Sequence, residues 1–371
     1  MKFTIDRNVI INGVQKVLGV TDKKTTSPFF NNLHLIASRE GITVKATDVE
    51  VSVVVFMPAR VENEGSVLLV ARRVYEMLKE MQGADEVVFI QGDDMLISLQ
   101  CGNALYKIQG LNDEEYPLIS VELQEEVASV ASNRLVDMIK KTINSASNEA
   151  MRRNINGMFL ECDVEKSCLR MVGTDGNRLS LFNAEAVLGS GKMVKGLIIG
   201  KKGAVELKKN LEGLNEEVLI GLNGGFIVFK TRQMLMQLNT IEAEYPDYRR
   251  VIVLAQSSPL VVNKEEILRS LRIMRVVADV SYTGVIMDIS NKCIKLSSVD
   301  ANVGEAKDEV VVDYAGTDIN VSYNVHFLIE AIEGAESVDV LLDLGAEGKP
   351  LFVKETVGDN YLAVVMPVRL V

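Results

Sequence analysis

The chain has 371 residues, 47% hydrophobic and 25% charged, and a net charge of −11. These proportions fit an ordinary globular chain of two or three domains and exclude a disordered or collagen-like one. No apolar run approaches the roughly 20 residues that span a bilayer, the opening residues 1–7 contain no signal-peptide core, Cys101, Cys162, Cys168 and Cys293 form no CxxC pair, and His34 and His326 are the only histidines; the expectation is a cytoplasmic protein with reduced thiols, no metal and no cofactor.

In chain order, Phe3-Thr4-Ile5 alternates like a strand, and Asp6 is placed to cap a helix whose apolar positions Val9, Ile10, Val14, Val17 and Leu18 recur at helical spacing. Residues 42–47 alternate into Asp48, and residues 51–57, rich in β-branched side chains, read as a buried strand. A second helix is expected over residues 72–81 with Gly83 behind it, then strands at 86–90 and 95–99 around a Gly92-Asp93-Asp94 turn. Tyr106 and Ile108 alternate on a later strand.

The same order then returns. Ser132 is placed to cap a helix bearing Leu135, Val136, Ile139 and Ile143, residues 169–174 alternate into Asp175, and a helix over residues 201–211 is followed by Gly213 and by strands flanking Asn223-Gly224-Gly225. A third round has Asn263 before Ile267, Leu268, Leu271 and Met274, then residues 294–299 alternating into Asp300, and a helix over residues 325–333 ending at Gly334. The three aspartates are 127 and 125 residues apart, and Glu115-Tyr116-Pro117 returns as Glu244-Tyr245-Pro246 with an echo at Met366-Pro367. That period is too long for a solenoid repeat. It predicts three similar domains over residues 1–122, 123–252 and 253–371, each α+β with two helices packed on antiparallel sheet.

No catalytic constellation stands out. Gly189-Ser190-Gly191-Lys192 suggests a phosphate loop, but Ala186 and Met193 occupy the positions that need Gly and Ser or Thr. Asp93-Asp94 and Asp113-Glu114-Glu115 read as solvated turns without a partnering base. Within Thr174-Asp175-Gly176-Asn177-Arg178 the aspartate is common to all three repeats, while Gly-Asn-Arg belongs to the second alone.

Basic residues are the better lead. Arg269, Arg272 and Arg275 share one helix face, Arg134, Lys140 and Lys141 lie on another helix ahead of Arg152-Arg153, and the second helices of two repeats begin Arg72-Arg73 and Lys201-Lys202. Recurrence at equivalent places predicts a common surface for phosphates, without the Arg/Asn/Gln clustering of base readout.

Five separated motifs carry a family resemblance: Met1-Lys2-Phe3-Thr4, Asn156-Gly157-Met158, Thr174-Asp175-Gly176-Asn177-Arg178-Leu179, Tyr245-Pro246-Asp247-Tyr248-Arg249-Arg250-Val251 and Val364-Val365-Met366-Pro367-Val368-Arg369-Leu370. In order and in register over the whole chain, they resemble the bacterial sliding clamps, the beta subunits of DNA polymerase III. The resemblance implies three clamp domains per chain and a closed ring made by a head-to-tail homodimer. It implies no enzyme. The ring would encircle double-stranded DNA without sequence specificity and tether the DNA polymerase III alpha subunit, the clamp loader, other polymerases and repair proteins. It also implies phosphate contacts from Lys24, Arg72, Arg73, Arg152, Arg153, Lys201 and Lys202, and a subunit junction at Tyr106, Ile108, Val276 and Val277. A pocket for partner peptides would be walled by Ile155, Thr174, Gly176, Asn177, Arg178, Leu179, Pro246, Arg250, Val251, Val364, Val365, Met366, Pro367, Val368, Arg369 and Leu370. Asn177 stands where the family often has His, Arg153-Asn154 replaces a common aromatic pair, and Val371 extends the usual terminus. The alternatives are a DNA-modifying or repair enzyme whose metal site forms only on folding, and a purely structural assembly protein.

Overall fold

Asp6 starts the fold as its sequence position predicts: its carboxylate accepts from the amides of Asn8 at 2.8 Å and Val9 at 3.0 Å, opening α1 (Arg7–Leu18), which buries Ile10, Val14 and Val17. The computed structural model describes residues 1–21, 28–114, 116–117, 120–189, 196–252, 259–278, 284–290, 292–300, 302–344 and 349–368. The other helices are α2 (Ala71–Glu80), α3 (Ser132–Thr142), α4 (Lys201–Leu211), α5 (Arg249–Ile252), α6 (Lys264–Val277) and α7 (Val325–Glu333). Asn263 caps α6 and Asn324 caps α7, each through its side-chain oxygen. Ser132 differs from its expected role as a cap. It is the first residue of α3, and its hydroxyl donates to the Leu214 carbonyl at 2.8 Å. None of these helices is long and apolar enough to cross a membrane.

The described residues pack as two compact units, and neither coincides with a repeat. The first unit draws on residues 1–133, 186–192 and 202–240. It holds a five-stranded sheet ordered Arg60–Asn63, Lys2–Asp6, Glu86–Gln91, Leu96–Cys101, Ala104–Gln109. Its second sheet has nine strands, and there the last strand of repeat two, Met234–Asn239, pairs antiparallel with Val51–Met57 of repeat one, from Met234 opposite Val55 to Leu238 opposite Val51. Helices α1 and α2 pack together, with α1 lying on Val51–Met57.

The second unit draws on residues 134–185, 193–201 and 241–371. Its eight-stranded sheet joins the last strand of repeat three, Tyr361–Val365, to Arg178–Glu185 of repeat two, from Arg178 opposite Val365 to Phe182 opposite Tyr361. Its four-stranded sheet runs Gly304–Val311, Cys293–Asp300, Gly284–Ser290, Ile319–Asn324, and α6 packs on α7 and on Gly304–Val311. Both joins follow one rule: the last strand of a repeat pairs with the strand that follows the aspartate turn in the repeat before it.

The recurring aspartate has one structural task. Asp48 Oδ1 accepts from the amides of Glu50 and Val51 at 3.1 and 2.9 Å, Asp175 Oδ1 from Asn177 and Arg178 at 2.9 and 3.1 Å, and Asp300 Oδ1 from Asn302 and Val303 at 2.6 and 3.0 Å. Each is an Asx turn at the end of a strand, satisfying two amides that the ladder would otherwise leave open. Residue Val49 of the first turn has φ +79° and Gly176 of the second has φ +93°. A β-branched residue is strained in that left-handed region, and Val49 is 64% exposed, so no burial compensates. Replacing it with glycine relieves the strain. Val49→Gly is expected to stabilise the first unit by about 1 kcal/mol, read as an upward shift of the thermal midpoint; an unchanged or lower midpoint contradicts this.

Candidate functional site

Within the second unit, four segments surround a cavity of about 250 Å³. The aspartate turn and the strand after it contribute Thr174, Gly176, Arg178 and Leu179; the segment after Tyr245 contributes Pro246, Asp247, Tyr248 and Val251; the last strand and the residue just past it contribute Val364 and Met366; and a short turn contributes Arg152, Asn154 and Ile155. The floor is apolar. Val172, Leu179, Leu181, Tyr248, Phe352 and Val364 form one buried cluster, with Val251 and Phe159 packed against it.

The sheet join sets this floor, because antiparallel pairing puts Leu179 directly opposite Val364 and their side chains on the same face. The turn sets the rim. The Thr174 hydroxyl donates to the Arg178 carbonyl at 2.6 Å, and the Met366 amide donates to the Asn177 carbonyl at 2.9 Å, hooking the end of the last strand onto the turn. Arg178 is held by Asp175 at 3.0 Å, by Glu330 at 2.7 Å, by the Phe327 ring, whose centroid lies 4.1 Å from the guanidinium, and by the Asn144 carbonyl, to which it donates. Its fork is therefore fixed before any ligand arrives.

The third wall is anchored from behind. Tyr245 stacks on Phe159 at 4.8 Å between centroids and donates to the Val172 carbonyl at 3.1 Å, and burial raises its phenol pKa. The Tyr248 hydroxyl donates to Glu161, and burial foremost pushes that phenol up to about 12. The equivalent tyrosine of repeat one, Tyr116, lies edge-on to His34 at 5.4 Å, and burial pushes it up to about 12.

Of the residues named for the pocket from sequence, Ile155, Thr174, Gly176, Arg178, Leu179, Pro246, Val251, Val364 and Met366 line the cavity. Asn177 acts through its backbone, and Arg250 is an exposed partner of Asp247 at 3.0 Å. Val365 is fully buried, Pro367 bridges to Tyr323, and the Val368 amide donates to the Ser322 carbonyl at 2.8 Å. Arg369 and Leu370 lie outside the described residues. Sequence reading missed Arg152, Asn154, Asp247 and Tyr248 as lining residues. Three of these sat in or beside quoted motifs, whereas Arg152 read as a phosphate contact because it adjoins Arg153.

The basic residues divide into two groups. Arg73 and Arg153 are exposed; Arg72 is exposed and pairs with Glu76 at 2.6 Å; Lys202 pairs with Asp48 at 2.8 Å. Arg152 donates to the Asp175 carbonyl at 2.9 Å. Lys201 is half-buried, its ammonium holding the Ala146 carbonyl at 2.5 Å and Asn148 Oδ1 at 2.6 Å, and burial lowers its pKa. That is an anchor inside the fold. Lys24 lies outside the described residues. Tyr106 and Ile108 lie on the outermost strand of the five-stranded sheet. Tyr106 is 36% exposed, whereas Ile108, also named for the junction, is only 6% exposed and pairs opposite Ile97. The exposed apolar partner on that strand is Leu105. Val276 is exposed and Val277 half-buried at the end of α6.

Comparison with known proteins gives one consistent result. The N-terminal, central and C-terminal domains of the DNA polymerase III beta subunit match residues 1–120, 129–247 and 249–369. The beta sliding clamps of Vibrio cholerae and Pseudomonas aeruginosa are each 26% identical over 372 residues, covering the whole of both chains. Among solved structures, the DNA polymerase sliding clamp of Bacillus subtilis superposes with a TM-score of 0.93 at 24% identity, and the DNA polymerase III beta subunit of Thermotoga maritima with 0.90 at 23%, each over both full chains.

Proposed function

This chain belongs to the DNA polymerase III beta subunit family, the non-catalytic processivity clamps of DNA replication, and from that membership we propose how it closes into a ring, holds DNA and receives its partners. The observation that carries the reading is that three domain matches follow one another along nearly the whole chain. We take the domains as residues 1–122, 123–252 and 253–371, and the working compartment as the cytoplasm, where bacterial replication takes place.

Ring closure follows from the rule that joins the repeats. Ala104–Gln109, the last strand of repeat one, and Gly304–Val311, which follows the Asp300 turn of repeat three, are each outermost in their sheets. They are the two kinds of strand that pair elsewhere in the chain, each without its counterpart among the described residues. A second copy supplies both, head to tail, and the two chains close on themselves. Tyr106, Leu105, Val276 and Val277 would be covered at that junction, with Ile108 supporting it from beneath.

Arg73 and Arg153, which are exposed, and Arg72 and Lys202, which are exposed and each pair with a carboxylate, are proposed as sequence-independent phosphate contacts on an acidic chain. Arg152 and Lys201 have structural partners and contribute less. The cavity between Leu179, Val251, Val364 and Met366 would take the apolar anchors of a short peptide carrying a glutamine. It would be presented by the polymerase alpha subunit, the clamp loader, or other polymerases and repair proteins.

The whole reading is tested on nicked circular DNA. Protein loaded by a clamp loader is expected to remain through a high-salt wash and to be lost once the circle is cut. Retention on linear DNA would mean direct binding rather than encirclement. The junction is tested by mass: wild type is expected to be a dimer at micromolar concentration and the double variant Leu105→Asp, Tyr106→Asp a monomer with unchanged circular dichroism. A wild-type monomer overturns the closure scheme. For the pocket, Val364→Glu places a charge on the apolar floor and is expected to abolish polymerase stimulation while the dimer persists; full stimulation by that variant rules the cavity out as the docking site.

A further inference from the structure

Behind the cavity wall lies a buried ionic group that no part of the pocket itself requires. Glu161, on strand Gly157–Asp163, is 7% exposed. Its two oxygens accept from Arg249 Nη2 at 2.8 and 2.6 Å, Arg170 approaches at 3.4 Å, and the Tyr248 hydroxyl donates to the same carboxylate. Arg170 is itself tied to Asp163 at 2.6 Å and to the Asn183 side chain at 2.9 Å. Two carboxylates and two guanidiniums thus balance in charge, with the carboxylates held by strong, charge-assisted hydrogen bonds. Arg249 opens α5, a helix of four residues, with Tyr248 just before it and Val251 within it, and both of those side chains line the cavity. So short a helix does not hold its shape alone. Glu161 fastens it to the sheet.

The first repeat provides an internal control. His34 lies edge-on to Tyr116 where Phe159 stacks on Tyr245, so a ring contact that locks this tyrosine is common to both repeats. In the same register, however, Ile36 faces Thr43 where Glu161 faces Arg170. The third repeat sets Asp288 opposite Lys295, and that lysine pairs with Glu309 at 3.9 Å. The ionic fastening therefore accompanies the repeat that owns the cavity.

We propose that Glu161 is a positioning residue for the cavity, holding Tyr248 and Val251 in their binding geometry through Tyr248, Arg249 and Arg170 without touching the ligand. The inference rests on the peptide-docking reading above. A wall already fixed spares the ligand the entropy of ordering it. A wall released from Glu161 would still be folded onto Tyr245, and the fold would survive because the sheet joins lie elsewhere.

The test uses the full-length protein and a fluorescein-labelled synthetic peptide of glutamine, two leucines and a phenylalanine, with affinity read by fluorescence anisotropy. Glu161→Gln is expected to weaken binding about tenfold by loosening the wall. Arg249→Ala, at a side chain that is more than half exposed and so safe for folding, is expected to weaken it severalfold, and Arg249→Lys to recover most of that loss. The two-site variant Glu161→Gln, Arg249→Ala should lose less than the product of the single losses, since both act through one contact. Amide hydrogen exchange without peptide should accelerate over residues 246–252 and nowhere else, with the thermal midpoint little changed. Wild-type affinity in Glu161→Gln and Arg249→Ala overturns the assignment, as does accelerated exchange spread over the whole unit, which would make Glu161 merely a stabilising residue. Failure of the wild type to bind the peptide overturns the docking reading and this inference with it; a wild type that binds beside unaffected variants overturns this inference alone.

Discussion

Everything distinctive about this molecule depends on antiparallel backbone pairing between neighbouring repeats. A repeat of this kind has a strand at each flank with unpaired amides and carbonyls, and an edge left open is an invitation to aggregate. Inside the chain both joins are made by the same two kinds of strand, Met234–Asn239 on Val51–Met57 and Tyr361–Val365 on Arg178–Glu185. The second join also builds the cavity. With a period of two, a slip of one residue would turn Leu179 and Val364 away from each other and set Arg178 or Val365 on the floor instead. The hook from the Met366 amide to the Asn177 carbonyl, one residue beyond the ladder, fixes that register at its end.

Much of this was legible in the chain. The three aspartates marked three Asx turns because the turn needs a short acceptor at one position and tolerates variety after it. The helices came from apolar spacing, and Asp6 and Asn263 marked two of their beginnings. The nine cavity residues were found through family motifs, since an apolar floor assembled from four distant segments has no local period to read. Ser132 misled for a related reason: a hydroxyl before an apolar helical run satisfies the capping pattern, yet its partner, the Leu214 carbonyl, is 82 residues away. Ile108 misled because alternation reports which face a residue takes and not whether that face is covered, and Ile108 is buried.

The charged residues were the least legible. Lys201 and Lys202 are adjacent and look alike in sequence, but one is spent on the Ala146 carbonyl and Asn148 while the other is exposed and pairs with the turn aspartate of repeat one. Arg152 and Arg153 are both exposed, yet Arg152 is bonded to the Asp175 carbonyl. A run of two basic residues on a helix or turn tends to split like this, because successive side chains point in different directions. Counting basic residues therefore overstates the surface available to phosphate, and net charge understates it.

The repeats also show how one fold is held differently at equivalent places. Repeats one and two share the aspartate turn and the tyrosine lock, so their backbones follow the same course there. Repeat one fills the turn with Val49, whose backbone is strained, and backs its sheet with Ile36 and Thr43, which carry no charge to fasten a neighbouring segment. Repeat two has Gly176 in the turn, which takes the left-handed conformation without strain and leaves no side chain over the rim, where Arg152 passes within 3.0 Å of where a Cβ would sit. It adds Arg178, bonded to Asp175 and Glu330, and Glu161, bonded to Arg249 and approached by Arg170. None of these residues changes the fold, and each removes a freedom that a ligand would otherwise have to quench. On the proposed docking reading, what sets repeat two apart is thus how firmly the same backbone is held before a ligand arrives.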